Sequence, residues 1–170
     1  MPPAPNPNIY SFDASIPLSE VLDSLAAMPA ELQSLAADST TEKLTRPPDA
    51  EAWSAFRTIC HFRDAALIYA LRFRWMIFDT DPFLPNYDEN NWVASSKDQP
   101  DDVPDILDQV AASRADLIRV LSRLSEADWQ RTGRHEIAGS IVLEHYVRHQ
   151  LVHEQQHLEQ IRAAMRPAPP

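Results

Sequence analysis

The sequence has 170 residues, 44% of them hydrophobic, which is enough for one domain of ordinary size with a buried core. Its 15 lysines and arginines against 25 aspartates and glutamates give a formal net charge of -10. That balance excludes the clustered positive charge of a nucleic-acid-binding protein, and the two glycines exclude a glycine-rich phosphate-binding loop. The sequence also contains no apolar run long enough to span a membrane and no signal peptide pattern, so we expect a cytoplasmic protein without membrane or nucleic-acid partners.

Prolines divide the chain, because proline breaks the interior of a helix but is accepted in its first turn. Residues 49–81 and 105–166 are free of proline. The spacing of apolar residues predicts four helices, at about 18–38, 50–78, 104–122 and 140–165. We expect Pro29 to kink or restart the first helix and Ser140 to cap the start of the fourth. No segment alternates with the period of a strand, so no sheet is expected beyond a short pairing.

Four amphipathic helices predict an all-α fold, a four-helix bundle in a single domain over residues 1–170, with residues 1–16 and 167–170 as frayed termini. The segment 80–103 between the second and third helices is long for a connection, which indicates either a functional loop or a crossover.

This crossover carries three aromatic residues, Phe83, Tyr87 and Trp92. We favour the interpretation that they pin the segment to the bundle. The alternative is that Tyr87 and Trp92 line a substrate pocket.

Histidines are the residues most suited to chemistry. Four stand at strict i, i+4 spacing on the fourth helix: His145, His149, His153 and His157. Two histidines one turn apart can bind one metal ion, whereas eight residues separate two side chains by about 12 Å along the axis. On a helical wheel His157 faces the apolar side and His153 its shoulder, while His149 and His145 point increasingly to solvent. His153 and His157 are therefore the best chelating pair, and an ordinary polar stripe is the competing interpretation.

A third ligand must come from elsewhere, either from His61 on the second helix or from His135 before the fourth. His61 has the more rigid scaffold, but its neighbours do not force it inward. Asp64, one turn further, could orient His61 and carry protons, or it could pair with Arg63. Cys60 is expected in the core, and as the single cysteine it excludes an intrachain disulfide.

Residues 153–157 read H-E-x-x-H, the zinc protease motif in which the glutamate is the general base. The context argues against a protease, because the further ligands of that motif are missing after His157. Glu154 and His157 also form E-x-x-H, but no second copy exists for a di-iron bundle. Glu154 could still act as a base near a metal, or be an exposed or packed carboxylate.

In this order of motifs the chain resembles the DinB-like family of metal-binding four-helix bundles. The resemblance is carried by Trp53-Ser54, His61-Phe62-Arg63-Asp64, Pro82-Phe83-Leu84-Pro85, Tyr87-Asp88-Glu89, Trp92, Trp129 and His153-Glu154-Gln155-Gln156-His157-Leu158-Glu159-Gln160-Ile161. It implies an up-down-down-up bundle with the long crossover between the second and third helices. It also implies one metal held by His61, His153 and His157, and a homodimer. His149 is not part of that triad and is expected at the surface or the pocket rim.

Characterised relatives in the family include transferases and isomerases that use low-molecular-weight thiols. The resemblance therefore favours transfer of such a thiol to a small electrophilic substrate, with Glu154 or Asp64 moving protons. Hydrolysis of a small molecule and a non-catalytic, dimeric metal-binding bundle are the alternatives. Three imidazoles suit zinc, nickel or iron, and the ligand type does not distinguish these divalent ions.

Overall fold

The computed structural model describes residues 11–37 and 39–166. The elements, in chain order, are α1 (Leu18–Ala37), α2 (Thr41–Thr45), α3 (Ala55–Phe78), β1 (Phe83–Leu84), α4 (Glu89–Ser95), a 3₁₀ turn (Pro100–Asp102), α5 (Val103–Leu121), α6 (Glu126–Trp129), β2 (Thr132–His135), β3 (Gly139–Val142) and α7 (Leu143–Ala164). The long helices α1, α3, α5 and α7 form a four-helix bundle in which α1 and α3 each pack against α5 and α7. The predicted bundle is confirmed, and the up-down-down-up order of its helices stays a prediction.

The bundle core is made of aliphatic and aromatic side chains from all four long helices. Fully buried examples are Leu25, Leu32, Ile59, Phe73, Leu117, Val147 and Ile161. Burying each such side chain contributes roughly 1.5–3 kcal/mol to folding. Cys60 lies in this core, as predicted. None of the helices in the described ranges is long and apolar enough to cross a membrane.

The start of α3 and the effect of Pro29 on α1 differ from the predictions. α3 begins at Ala55 rather than near residue 50, because the side chain of Ser54 accepts a hydrogen bond from the backbone N–H of Arg57 and caps the helix. Pro29 does not restart α1, which continues unbroken from Leu18 to Ala37 with Pro29 buried inside it.

A three-stranded sheet of order β1-β2-β3 closes one side of the bundle, contrary to the expectation of no more than a short pairing. β1 pairs with β2 in parallel, and β2 pairs with β3 in antiparallel, with His135 opposite Gly139. Ser140 lies in β3 and does not cap α7, which begins at Leu143. The prediction failed because residues 139–142 are extended by pairing with β2, and the backbone oxygen of Arg131 accepts from the first N–H of α7.

The crossover is attached to the bundle by two buried aliphatic residues and by Tyr87, which is half-buried and packs over Arg72 of α3. Leu84 and Val93 are buried, whereas Phe83 is 55% exposed, so the prediction that Phe83 pins the segment is wrong. Gly133 lies directly beneath β1, where an added Cβ would come within 3.0 Å of Leu84 and Met76. This close approach brings β2 against the end of α3 and fixes where the crossover starts.

The predicted frayed ends fall largely outside the described residues, which begin at Ser11 and end at Arg166. Within the described part, the ring of Phe12 lies 4.9 Å from that of His145, and Arg148 donates to the backbone oxygen of Ile16. Residues 11–16 therefore contact α7.

Candidate metal centre

Three imidazoles meet where α3 and α7 pack together. Nε2 of His153 lies 3.1 Å from Nε2 of His157, one turn further along α7, and 3.5 Å from Nε2 of His61 on α3. One ring nitrogen from each lies within 4.8 Å of the other two. The structure thus brings together the pair selected by helical spacing and the third histidine implied by the family resemblance.

These three rings are neutral at pH 7. Burial, together with the neighbouring imidazoles, lowers the pKa of His61 to about 3 and that of His153 to about 2. Burial also lowers the pKa of His157, although its contact with Gln160 acts in the opposite direction. A neutral imidazole is the form that binds a metal ion, so the set is ready for coordination without losing protons first.

The distances from Nε2 of His153 to Nε2 of His61 and of His157 fit ligands of one metal ion. Tetrahedral zinc with bonds of about 2.0–2.1 Å places two nitrogen ligands about 3.3 Å apart. The separations of 3.1 and 3.5 Å lie on either side of that value. Lone pairs that face one another at this distance repel unless a proton or a cation lies between them. Three protein ligands leave a fourth position for water or substrate.

Gln160 orients one of the ligands. Its Oε1 lies 2.8 Å from Nδ1 of His157. An amide oxygen only accepts, so Nδ1 carries the proton and Nε2 keeps its lone pair toward the other two rings.

Packing holds the other two rings. In the described part of the chain, Nδ1 of His61 and Nδ1 of His153 are buried without a hydrogen-bond partner. The Trp53 ring lies 5.2 Å from that of His61, and the Tyr69 ring lies 5.7 Å from that of His153. Trp53 also stacks on His157 at 6.3 Å. These aromatic walls keep bulk water from the nitrogens.

A cleft of about 130 Å³ adjoins the histidines at His153. Its walls come from α3, the crossover and α7. The polar side chains that line it besides His153 are Tyr69, Arg72, Asn86, Tyr87, Glu89, Tyr146 and His149. The cleft is therefore a recess in which a small molecule could lie beside a metal ion.

The predicted pocket residues separate into two groups. Tyr87 and His149 line the cleft, whereas Trp92 packs on Tyr87 at 4.9 Å and lines a separate depression with Asp64. The helical wheel predicted that His149 faces solvent, but the residue is partly buried. Burial lowers the pKa of its imidazole to about 4. His145 is exposed, as the helical wheel predicted.

Glu154 lies in the interior of the bundle, between α7 and α5. The side chains of Glu154 and Arg114 are 1% and 2% exposed and form an ion pair in which both carboxylate oxygens accept from the guanidinium. Gln150 donates to the same carboxylate. The alternative of an exposed carboxylate is wrong. A role for Glu154 in proton transfer stays a prediction, although these contacts favour a structural role.

Asp64 pairs with Arg63, which also binds Asp98. Of the two alternatives for Asp64, the structure shows the pairing with Arg63, and Nδ1 of His61 has no hydrogen-bond partner within the described ranges. Burial raises the pKa of the Asp64 carboxyl, and proton transfer by this group stays a prediction.

Sequence reasoning missed Gln160, Arg72 and Glu89. Gln160 stands three residues after His157, on the same helical face, and that spacing was the available signal. Glu89 is exposed as a residue but lines the cleft, and partial burial together with Asp88 raises the pKa of its carboxyl. Nothing in the sequence pattern places Arg72 or Glu89 beside the histidines. Arg72 reaches the cleft through the packing of α3 and α7, and Glu89 reaches it because the crossover packs beside these helices.

Comparisons with known proteins agree with this geometry. The model of the DinB superfamily matches residues 24–161. A protein of Oceanobacillus iheyensis named "Putative metal-dependent hydrolase OB0782" is 25% identical over 135 residues, which is 78% of each chain. The structure of YfiT from Bacillus subtilis superposes with a TM-score of 0.83 and 21% identity over 91% of each chain. YfiT is described as "a probable metal-dependent hydrolase with an unusual four-helix bundle topology".

Proposed function

Because this chain belongs to the DinB superfamily, whose model covers most of its length, we propose that it is a metal-dependent hydrolase of a small molecule. The ligands are His61, His153 and His157. The observation that carries the proposal is the convergence of their three neutral Nε2 atoms at one end of a cleft. The names of the Oceanobacillus protein and of YfiT support hydrolysis as the reaction.

A divalent ion such as zinc, nickel or iron, when bound by three imidazoles, lowers the pKa of a coordinated water to about 7 and polarises an electrophilic carbonyl. The protein supplies the rest. Gln160 fixes the tautomer of His157, the rings of Trp53 and Tyr69 exclude bulk water, and the cleft between Tyr87 and His149 orients the substrate beside His153.

Transfer of a low-molecular-weight thiol to a small electrophile is the second candidate. Cys60 cannot supply the nucleophile, because it is buried and burial raises the pKa of its thiol to about 12. The thiol would have to be a separate small molecule bound in the same cleft. The resemblance to thiol-dependent transferases supports this reaction, and the cleft geometry is equally compatible with both nucleophiles.

An assay with and without added thiol distinguishes the two. Zinc-loaded protein is incubated with p-nitrophenyl esters and anilides, and separately with 1-chloro-2,4-dinitrobenzene, each in the presence and absence of a low-molecular-weight thiol. The proposal predicts ester or anilide cleavage without thiol, lost in His153→Ala and retained in His145→Ala. His145 is the matched control because it is an exposed histidine of the same helix.

Turnover that appears only with thiol would replace hydrolysis by transfer. Equal turnover in wild type and His153→Ala would place the reaction outside the three-histidine site. No turnover with any substrate in a zinc-loaded protein would favour the non-catalytic bundle.

A further inference from the structure

Three arginines are buried in the described ranges, and one of them differs from the other two. Arg114 is 2% exposed and pairs with Glu154, and Arg148 is 7% exposed and pairs with Glu144. Arg72 is 5% exposed, yet no carboxylate of the described residues forms an ion pair with it. Arg72 is therefore a buried cation without an anion of the protein beside it.

The contacts of Arg72 are with neutral oxygens. One terminal nitrogen donates to the hydroxyl of Tyr146 at 2.6 Å, and the other donates to the backbone oxygen of Pro85. Its guanidinium carbon lies 6.0 Å from the centre of the Tyr87 ring. These contacts hold the plane of the guanidinium rigidly but leave its charge uncompensated.

Isolating a charge from water is costly unless an opposite charge or a full set of hydrogen bonds compensates it. Proteins tolerate such a group where a ligand completes it. Arg72 lines the cleft that also contains His153, and among the described residues that line this cleft it is the only arginine or lysine. The missing anion and the substrate cleft thus coincide in one place.

We propose that Arg72 binds a carboxylate of the substrate, so that the natural substrate of this site is a small carboxylic acid derivative whose reacting bond lies at the imidazole end of the cleft. This inference rests on the proposed function for the identity of the ligand as substrate. A planar carboxylate matches the fork of N–H donors on a guanidinium. The phenol hydroxyls of Tyr69 and Tyr146, two residues that line the same cleft, add hydrogen-bond donors and no negative charge.

Among the described residues, Glu89 is the one carboxyl group that lines the same cleft. It forms no ion pair with Arg72 in the described structure, and its raised pKa reflects partial burial and Asp88. A substrate anion at Arg72 would be repelled if Glu89 approached it. Glu89→Gln is therefore expected to leave carboxylate binding unchanged or to strengthen it.

The test compares butanoate with butanamide, which have the same shape and differ in charge. Both are titrated into ¹⁵N-labelled, zinc-loaded protein, and the dissociation constants are read from NMR shifts. We expect butanoate to bind at least about tenfold more tightly than butanamide in wild type. In Arg72→Gln the ratio should fall to about one.

The matched control is Arg131→Gln. Arg131 also donates to backbone oxygens, those of Met76 and Asp79, but it lies outside the cleft. This variant should lose stability and keep the wild-type ratio. In wild type, the Nε–H signal of Arg72 should move with butanoate and not with butanamide, while that of Arg131 stays in place. This NMR signal of the wild-type protein tests carboxylate binding by Arg72 even if the Arg72→Gln variant does not fold.

A wild-type ratio near one, an unmoved Arg72 signal, or an unchanged ratio in Arg72→Gln would each overturn the proposal. An unchanged ratio would assign carboxylate binding to the metal instead. Because these are binding measurements, they are independent of turnover. An Arg72-dependent ratio in a protein that hydrolyses nothing would retain the anion site and reject the proposed reaction.

Discussion

Gln160 determines which nitrogen of His157 carries the proton. Its amide oxygen accepts from Nδ1, and this leaves Nε2 unprotonated toward His61 and His153. Groups that orient a metal-bound imidazole in this way typically contribute a factor of about 10–100 in metal affinity. The position of Gln160, one turn after His157, makes the two residues a unit of α7.

Gln160→Leu should therefore weaken zinc binding by about 10–100-fold, because His157 then loses the acceptor that fixes its tautomer. Gln160→Glu retains an acceptor oxygen and should bind zinc within a few-fold of wild type. The measurement is the dissociation constant of zinc by competition with a chelator. Equal affinities of Gln160→Leu and wild type would show that the contact does not orient the ring.

At the scale of elements, α5 and α7 are joined by the buried ion pair of Arg114 and Glu154. Arg114 also donates to the backbone oxygen of Leu25, so the same guanidinium reaches α1. Three helices thus meet at one charged pair, and this explains why a glutamate of an H-E-x-x-H sequence is directed away from solvent. The spacing of the motif cannot reveal this, because the partner arginine comes from another helix.

Glu154→Gln should destabilise the metal-free protein by roughly 3–5 kcal/mol, since it leaves Arg114 buried without a counter-charge. The double variant Glu154→Leu with Arg114→Met should recover most of that loss, because neither charge is then buried. Urea unfolding measures both. Zinc affinity of the folded Glu154→Gln protein should stay within a few-fold of wild type. A stable Glu154→Gln variant that has lost hydrolysis would instead support the catalytic role.

The hairpin of β2 and β3 depends on a neutral histidine. Nδ1 of His135 lies 3.2 and 3.4 Å from the backbone nitrogens of Ile137 and Ala138, which donate to it across the turn. Burial, with the charge of Arg72 adding to it, lowers the pKa of His135 to about 4. Protonation at Nδ1 would replace the acceptor by a donor and break both contacts.

Acid should therefore destabilise the fold through His135. Below about pH 6.5 His135 takes up a proton in the unfolded chain, whereas in the folded protein it takes up a proton only near pH 4. The free energy of unfolding therefore decreases as the pH is lowered from about 6.5 to about 4. The slope from this group is at most about 1.4 kcal/mol per pH unit. His135→Asn places an amide oxygen near the same point and does not titrate. Urea unfolding from pH 7 to pH 4 should show a shallower slope for the variant, and parallel slopes would contradict the assignment.

At the scale of the whole molecule, helical periodicity was sufficient for the bundle and for the pair His153 and His157. Both depend on contacts along a single helix, which a sequence displays directly. The sheet was missed because its strands are two to four residues long, too short for alternation to be visible. His149 was misplaced because Ser11 and residues of the crossover lie beside its face of α7, and the helical wheel contains no information about distant segments.

The cleft also depends on contacts between distant segments, which a sequence does not display directly. Arg72, Tyr87 and His149 come from three separate segments, and only the packing of the crossover on the bundle brings them together. Helical spacing did not decide between His61 and His135 as the third ligand, and the resemblance to the family implied His61. The homodimer implied by that resemblance stays a prediction, which the molar mass from light scattering would test.

The central claim is that His61, His153 and His157 hold one metal ion. The direct test is elemental analysis of untagged protein purified without metal-affinity resin, for wild type and for alanine variants of each of the three histidines and of His145. We predict near-stoichiometric metal in wild type and His145→Ala, and its loss in the other three variants. Two results would contradict this assignment of the metal ligands. One is metal retained in His153→Ala and His157→Ala, and the other is a wild-type protein that binds no metal even after incubation with zinc, nickel and ferrous iron.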